Sequence, residues 1–130
     1  MKSWRTGQSR NGSTRRRQLE YDAIMDNVTR RRDDFMLRLT SRLTPIGACV
    51  CYQGTLDHKG YARLNISYKP DSSRRQVITI HAHRLFLILK LERPIKRGFE
   101  AAHAPECKHR TCVVHLREEH YKANVADSNR

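Results

Sequence analysis

Cys107, Cys112 and His115 fall within nine residues of one another, inside the run "AAHAPECKHRTCVVHLREEHYKANVAD" from Ala101 to Asp127. Three soft or borderline ligands so close together supply most of a tetrahedral zinc site and leave one place for a residue from elsewhere. The other two thiols are Cys49 and Cys51, both in a strand-like run, and either is available. The basic N-terminus, "MKSWRTGQSRNGSTRRR", leads into no apolar segment and does not read as a secretory signal. Cysteines beside histidines in such a chain point to metal rather than disulfides, and to a reducing cytoplasm. If Cys51 completes the set with Cys107, Cys112 and His115, the zinc is coordinatively closed. It then staples a small core and has no open position for a substrate.

The rest of the chain has to be read around that staple. With 130 residues it suits one domain, and a terminal arm would leave little for the core. Lys and Arg number 26 against 13 Asp and Glu, a formal charge of +13 with an isoelectric point near 10.3. That excess selects a polyanionic partner, nucleic acid before any other. A membrane surface fits less well, because no basic amphipathic helix with a broad apolar face stands out. No run reaches the roughly 18 apolar residues of a membrane-spanning helix.

The expected fold class is α+β. Residues 1–14 read as a basic, disordered arm and residues 15–44 as a helical extension, either one long helix or two shorter ones. "TPIG", Thr44 to Gly47, punctuates the chain. A small antiparallel sheet follows within residues 48–130, from "ACVCYQGTL", "YARLNISY" and "QVITIHA", with a turn at "DHKG". "HRLFLILKL" reads as a helix, although its periodicity alone does not separate a buried helix from a strand. "FEAAH" and "CVVHLREE" suit two arms of a hairpin around the Cys-containing loop. "EEHYKANVADSN", Glu118 to Asn129, reads as a closing helix with acids in its first turn.

A closed zinc site leaves any catalysis to other groups. His103 lies just before the knot and Asn124 follows 21 residues later. A neutral imidazole can deprotonate water near neutral pH, and an Asn carbonyl oxygen is a hard ligand suited to Mg²⁺.

Four stretches, "CYQGTLDHKGYARL", "AHRLFLIL", "HAPECKHRTCVVHL" and "KANVADSNR", occur in the order seen in phage-type HNH endonucleases with a zinc-binding loop. The chain resembles that group, which is related to the His-Cys box homing endonucleases of the ββα-metal (His-Me finger) superfamily. The resemblance spans about Cys51 to Arg130 and does not reach the N-terminal helical region. It implies a zinc-stapled ββα-metal core with His103 as general base and Asn124 as the Mg²⁺ ligand. It also favours Cys51 over Cys49 as the upstream zinc ligand, beside Cys107, Cys112 and His115. The "AHR" tripeptide is similar to one in the family, which makes His83 or Arg84 a candidate either to support the site or to contact a phosphate. The chain departs from the pattern in three ways. His103 to Cys107 is two residues longer than usual and Cys112 to His115 two shorter, the middle Asn has no counterpart, and Ala102 stands where many relatives place an Asp.

These readings lead to an expected activity: a Mg²⁺-dependent endonuclease acting on double-stranded DNA, in the cytoplasm, or in the host's if phage-encoded. Cutting both strands would call for a homodimer, because one site faces one phosphate. The alternative is a non-catalytic, zinc-containing nucleic-acid-binding module derived from a nuclease fold.

Overall fold

A computed structural model describes residues 14–70, 74–105 and 107–120. The expected basic arm of residues 1–14 falls almost wholly outside them. Helix α1, Thr14–Thr40, turns toward the core a stripe of Arg17, Glu20, Ala23, Ile24 and Asn27, and then Phe35 and Leu39. Residues three to four apart share one face of a helix, so this stripe buries one side of each half. The halves meet at Arg31, whose φ of −149° and ψ of 52° are not helical. The break falls in the polar "TRRRDD" stretch, where no apolar side chain anchors the turn. Ala23, Ile24, Phe35 and Leu39 enter the same hydrophobic cluster as the sheet, so the extension is built into the core.

Strands β1, Leu43–Ile46, and β2, Cys49–Tyr52, form a hairpin in which Ile46 faces Cys49. Gly47 and Ala48 make the two-residue turn, and Gly47 has a φ of 60°, which glycine adopts without strain. "TPIG" is therefore mostly strand rather than punctuation. Pro45 is accommodated because β1 lies at the edge of a two-stranded sheet, where a missing N–H costs no ladder bond.

The second sheet has the order β3–β4–β5, from β3, Thr55–Leu56, β4, Ala62–Tyr68, and β5, Gln76–His81. Gln53 and Gly54 separate β2 from β3, so the expected single strand is two. The β3–β4 turn is closed by the Asp57 carboxylate, which accepts the backbone N–H of Lys59 at 2.9 Å and of Tyr61 at 3.0 Å. Alternation places Ala62, Leu64, Ile66, Tyr68, Ile78 and Ile80 inward, against Leu85 and Ile88 of α2, Ala82–Leu91. The opposite face presents Arg63, Asn65 and Thr79 to solvent. Helix α2 ends at Glu92, in the left-handed region at φ 59°, with its N–H on the carbonyl of Ile88.

Strands β6, Phe99–His103, and β7, Leu116–His120, complete the fold as the expected hairpin, with His103 opposite Leu116. The closing helix expected from Glu118 is overturned at its start, since Glu118 to His120 are strand. Glu118 lies opposite Ala101, its carboxylate accepts both arms of Arg93 at 2.6 and 3.0 Å, and it also accepts the backbone N–H of Lys96 at 2.7 Å. Those partners outweigh a favourable helix dipole. The remainder of that stretch lies outside the described residues. Among the described residues no helix is long and apolar enough to cross a membrane.

Helix α1 is fastened to the sheet mainly through side chains that meet backbone carbonyls. Asn27 is fully buried, its amide donating to Ala23 O at 2.9 Å and Ser67 O at 2.8 Å, while its own oxygen accepts Arg31 Nε at 3.0 Å. Arg38 donates to Asn65 O at 2.6 Å and Arg16 to Thr79 O at 2.8 Å. Asn65 and Thr79 are cross-strand partners, so their carbonyls turn outward as in a non-hydrogen-bonded pair, and α1 covers both edges. Asn27→Ala takes the amide donor from the part-buried Ser67 carbonyl and from Ala23 O, and removes the acceptor of Arg31 Nε. The expected cost is about 2–3 kcal/mol, read from urea unfolding.

Candidate metal centre and the adjoining imidazoles

The Cys-containing loop joins β6 to β7 and is stitched to the β1–β2 hairpin by backbone bonds. Tyr52 N–H donates to Thr111 O and Val113 N–H to Val50 O, both at 2.9 Å, so Cys51 and Cys112 face each other as an antiparallel bridge. Within the loop, Ala104 N–H donates to His115 O and Cys107 N–H to Ala104 O. The chain thus returns to its starting point with Cys107, Cys112 and His115 turned to one side.

Cys49, Cys107, Cys112 and His115 bring their ligand atoms within 4.8 Å of one another. Cys49 Sγ lies 3.7 Å from Cys107 Sγ and 3.5 Å from His115 Nδ1, and Cys112 Sγ lies 3.4 Å from the same nitrogen. A tetrahedron with zinc–sulfur bonds of about 2.3 Å and zinc–nitrogen bonds of about 2.0 Å has edges of roughly 3.8 Å between sulfurs and 3.5 Å between sulfur and nitrogen. The four residues are close enough to hold a metal ion, and their chemistry and spacing are compatible with zinc.

The fourth ligand is a correction. Cys51 was the expected upstream thiol, but Cys49 occupies that place. The two share one face of β2 and stand roughly 7 Å apart along it, and it is Cys49 whose sulfur lies among the other three ligand atoms. The β1–β2 turn leaves Cys49 at the hairpin end, beside Cys107 and His115, while Cys51 is sealed in the seam against Cys112 with no exposed surface. Only by reading "TPIG" as a strand, with Gly47–Ala48 as the turn, could the sequence have shown that Cys49 opens β2.

Burial, and then the neighbouring Cys112 and Cys107 thiols, push the Cys49 thiol up to about 12. Burial raises Cys107 as well. Burial also acts to raise Cys112, but backbone N–H groups of Val114 and His115 outweigh it and bring the thiol down to about 7. The cluster on its own therefore favours one thiolate, at Cys112, and a divalent cation is what allows the others to lose their protons.

His103 closes β6 with its Nε2 2.9 Å from the backbone oxygen of Cys112. A carbonyl only accepts, so Nε2 carries the proton and Nδ1 keeps a lone pair. Burial, then Arg110 and His115, lowers the pKa of His103 against the raising effect of the Cys112 carbonyl. His83 stacks on His103 at 5.1 Å and on Tyr61 at 5.0 Å, and Tyr61 carries the Arg110 guanidinium 5.2 Å above its ring. His81 stacks on His83 at 5.5 Å and places Nε2 2.8 Å from Asp57. Asp57 is held down to about 2 by the Tyr61 N–H first, with His81 and Lys59 adding to it.

The sequence-derived candidates therefore divide. Cys107, Cys112 and His115 are gathered into one cluster, and His103 adjoins it. His83 sits inside the ring stack, with its Nδ1 buried and without a hydrogen-bond partner among the described residues. Arg84 turns inward to Glu20, with Nε at 2.9 Å and an arm at 2.8 Å, so its guanidinium is an internal brace and not a free phosphate clamp. Asn124 lies outside the described residues. Sequence reasoning missed Tyr61 and Asp57; the "DHKGY" turn was the signal, since an Asp two and four residues before bonded N–H groups is an Asx-type closure.

Comparisons with known protein families, with curated proteins and with solved structures found no match to this chain.

Two measurements check this geometry. Cys49→Ser is expected to lose stoichiometric zinc and most of the folded signal, whereas Cys51→Ala keeps zinc and loses only about 1 kcal/mol of packing; metal content and circular dichroism separate them. For pH, burial first, and then the neighbouring His103 and His81, lower His83 to about 3, against about 6.5 in an unfolded chain. The unfolded state binds that proton more tightly, so the contribution is intact above about pH 6.5 and is lost as pH falls toward 3. Relative to His83→Phe, wild type should lose about 1.4 kcal/mol per pH unit across that window, and parallel stability curves would refute the assignment.

Proposed function

We propose that the protein is a DNA endonuclease that hydrolyses one phosphodiester with a water activated by His103. The observation that carries this reading is the bond from His103 Nε2 to the carbonyl of Cys112, a residue of the metal cluster. It ties the imidazole to the backbone of a buried loop residue and leaves the Nδ1 lone pair free to take a proton. The reaction asks for little else from the chain: His103 takes a proton from water, the hydroxide oxygen bonds to phosphorus, and the bond from phosphorus to the 3′ oxygen breaks. By the resemblance to HNH enzymes, Asn124 would hold a Mg²⁺ ion, which would supply charge neutralisation at the departing oxygen. Zinc on Cys49, Cys107, Cys112 and His115 takes no part beyond holding the loop, because four protein ligands fill its tetrahedron.

A second reading, a zinc-containing module that binds nucleic acid without cutting it, is favoured by the surroundings of the base. Ala102, immediately before His103, is buried and offers no ligand, and no carboxylate among the described residues bonds to His103. The two readings part in a plasmid assay. Supercoiled DNA should become open-circular or linear with Mg²⁺ and not without added divalent cation. His103→Ala should cut at least about a hundredfold more slowly while keeping zinc and fold. Wild-type cutting by that variant would remove His103 as the base. An intact plasmid in every metal, with DNA still bound, would establish the second reading.

A further inference from the structure

Arg38, at the end of α1, Arg42, just after it, and Arg63, on the outer face of β4, line a groove of about 520 Å³ across the solvent face of the three-stranded sheet. No carboxylate contributes to its lining, and none of the three is in an ion pair among the described residues. Each is held in place from behind. Arg38 is bonded to the carbonyl of Asn65. The backbone of Arg42 is pinned on both sides, its N–H to Leu39 O and its oxygen by Gln53 N–H at 2.7 Å. Arg63 lies between Thr55 and His81 in the ladder.

The neutral groups in the groove have the same polarity. Thr79 donates its hydroxyl to Asn65 Oδ1 at 2.6 Å, which turns the Asn65 NH₂ group into the groove's remaining amide function. Below them Tyr52 is almost wholly buried, and its ring lies so close to Gly54 that any Cβ there would fall 2.8 Å from it. The floor is largely apolar and the walls are donors, an arrangement that suits oxyanions and disfavours cations.

The groove is open rather than closed. Arg63 and Thr79 also line a second cleft of about 370 Å³, which contains His81 and Asp57. From His81 the ring stack runs through His83 to His103. Because the two clefts share Arg63 and Thr79, the arginine face runs on along the sheet, which suits successive phosphates of an extended backbone better than one enclosed anion.

We propose that the Arg38–Arg42–Arg63 groove binds backbone phosphates of duplex DNA at a distance from the bond that is cut. The proposal deepens the endonuclease reading and rests on it for the choice of DNA. It also gives the N-terminal helical extension a role in the interface, because two of the three arginines come from its end.

The test is binding of a fluorescein-labelled DNA duplex, followed by anisotropy over a range of NaCl concentrations without added Mg²⁺, with zinc retained. Arg42→Gln with Arg63→Gln should weaken binding about ten- to a hundredfold and reduce the slope of log K against log salt by about two, one for each phosphate that is no longer neutralised. Lys90→Gln with Arg97→Gln removes the same charge from the end of α2 and the turn after it, and should leave the slope within about half a unit of wild type. Equal effects from both pairs would mean that only net charge matters and would overturn the proposal, as would a wild-type slope in the groove variant. Tighter binding of a structured RNA through the same arginines would overturn the choice of DNA. Plasmid cutting with an unaltered slope removes the groove alone, and a groove-dependent slope without any cutting removes the nuclease alone. Zinc content and circular dichroism confirm that each variant is folded.

Discussion

The meeting of Cys49 with the loop that carries Cys107, Cys112 and His115 is the constraint on which the rest of the structure depends. That loop buries little: among its described residues between Ala104 and His115, only Cys112 and Val113 are fully enclosed. Two backbone bonds, from Tyr52 to Thr111 and from Val113 to Val50, hold it to the hairpin. At a net 0.5–1.5 kcal/mol apiece, such bonds cannot outweigh the conformational entropy of ordering about a dozen residues, at roughly 1–2 kcal/mol each. Metal–ligand bonding in structural zinc sites is worth about 10–16 kcal/mol and can close that gap. The same bonding would fix the direction of the Cys112 carbonyl, and through it the orientation of the His103 ring, whose Nε2 lies 2.9 Å from it. Stability of the loop and placement of the His103 ring are thus one problem with one solution.

The other half of the molecule solves a different difficulty. Strand β3 covers only the first part of β4, since it pairs Thr55 and Leu56 with Arg63 and Ala62 and then stops. The rest of that edge would offer bare carbonyls to any passing strand. Helix α1 covers it with Asn27 and Arg38, and Arg16 reaches the far edge of β5. The cost is visible in the core, where Arg17 is buried with two of its nitrogens lacking a partner among the described residues and its pKa lowered by burial. Glu20 offsets part of that cost by joining Arg84 and Arg16. The kink at Arg31 lets one chain reach Ser67 with its first half and Asn65 with its second.

How far the sequence could be read follows from the range of the forces involved. Strands β4 and β5 were legible because alternation is a local signal, and so were β6 and the later half of "CVVHLREE"; its first four residues belong to the Cys-containing loop and not to β7. Cys107, Cys112 and His115 were legible because ligand spacing within one loop is local too. Cys49 was missed because the choice between it and Cys51 depends on a two-residue turn hidden in "TPIG". Glu118 was misread because its partner Arg93 is 25 residues away in the chain, and a helix-dipole argument sees only neighbours. Arg84 looked free for the same reason, with Glu20 lying 64 residues before it. No pattern in the sequence joins Arg38 and Arg42 to Arg63; only the path of α1 across the sheet does.

The arginines themselves are treated in two different ways. Elsewhere two arginines are matched to nearly buried acids: Arg84 with Glu20, and Arg93 with Glu118. On the sheet face three arginines converge with no acid among them, although the chain has 13 Asp and Glu to place. Like charges brought together in this way repel and work against the folded state unless an anion is present. A chain with a loop that buries so little has little stability to spare on unneeded repulsion. Arginines left unmatched on a rigid, donor-lined surface, beside acids used carefully elsewhere, are what a site filled by an external polyanion requires. On this reading the metal cluster and the bare arginine groove are linked: the first supplies the stability that lets the second remain unneutralised until a partner supplies the phosphates.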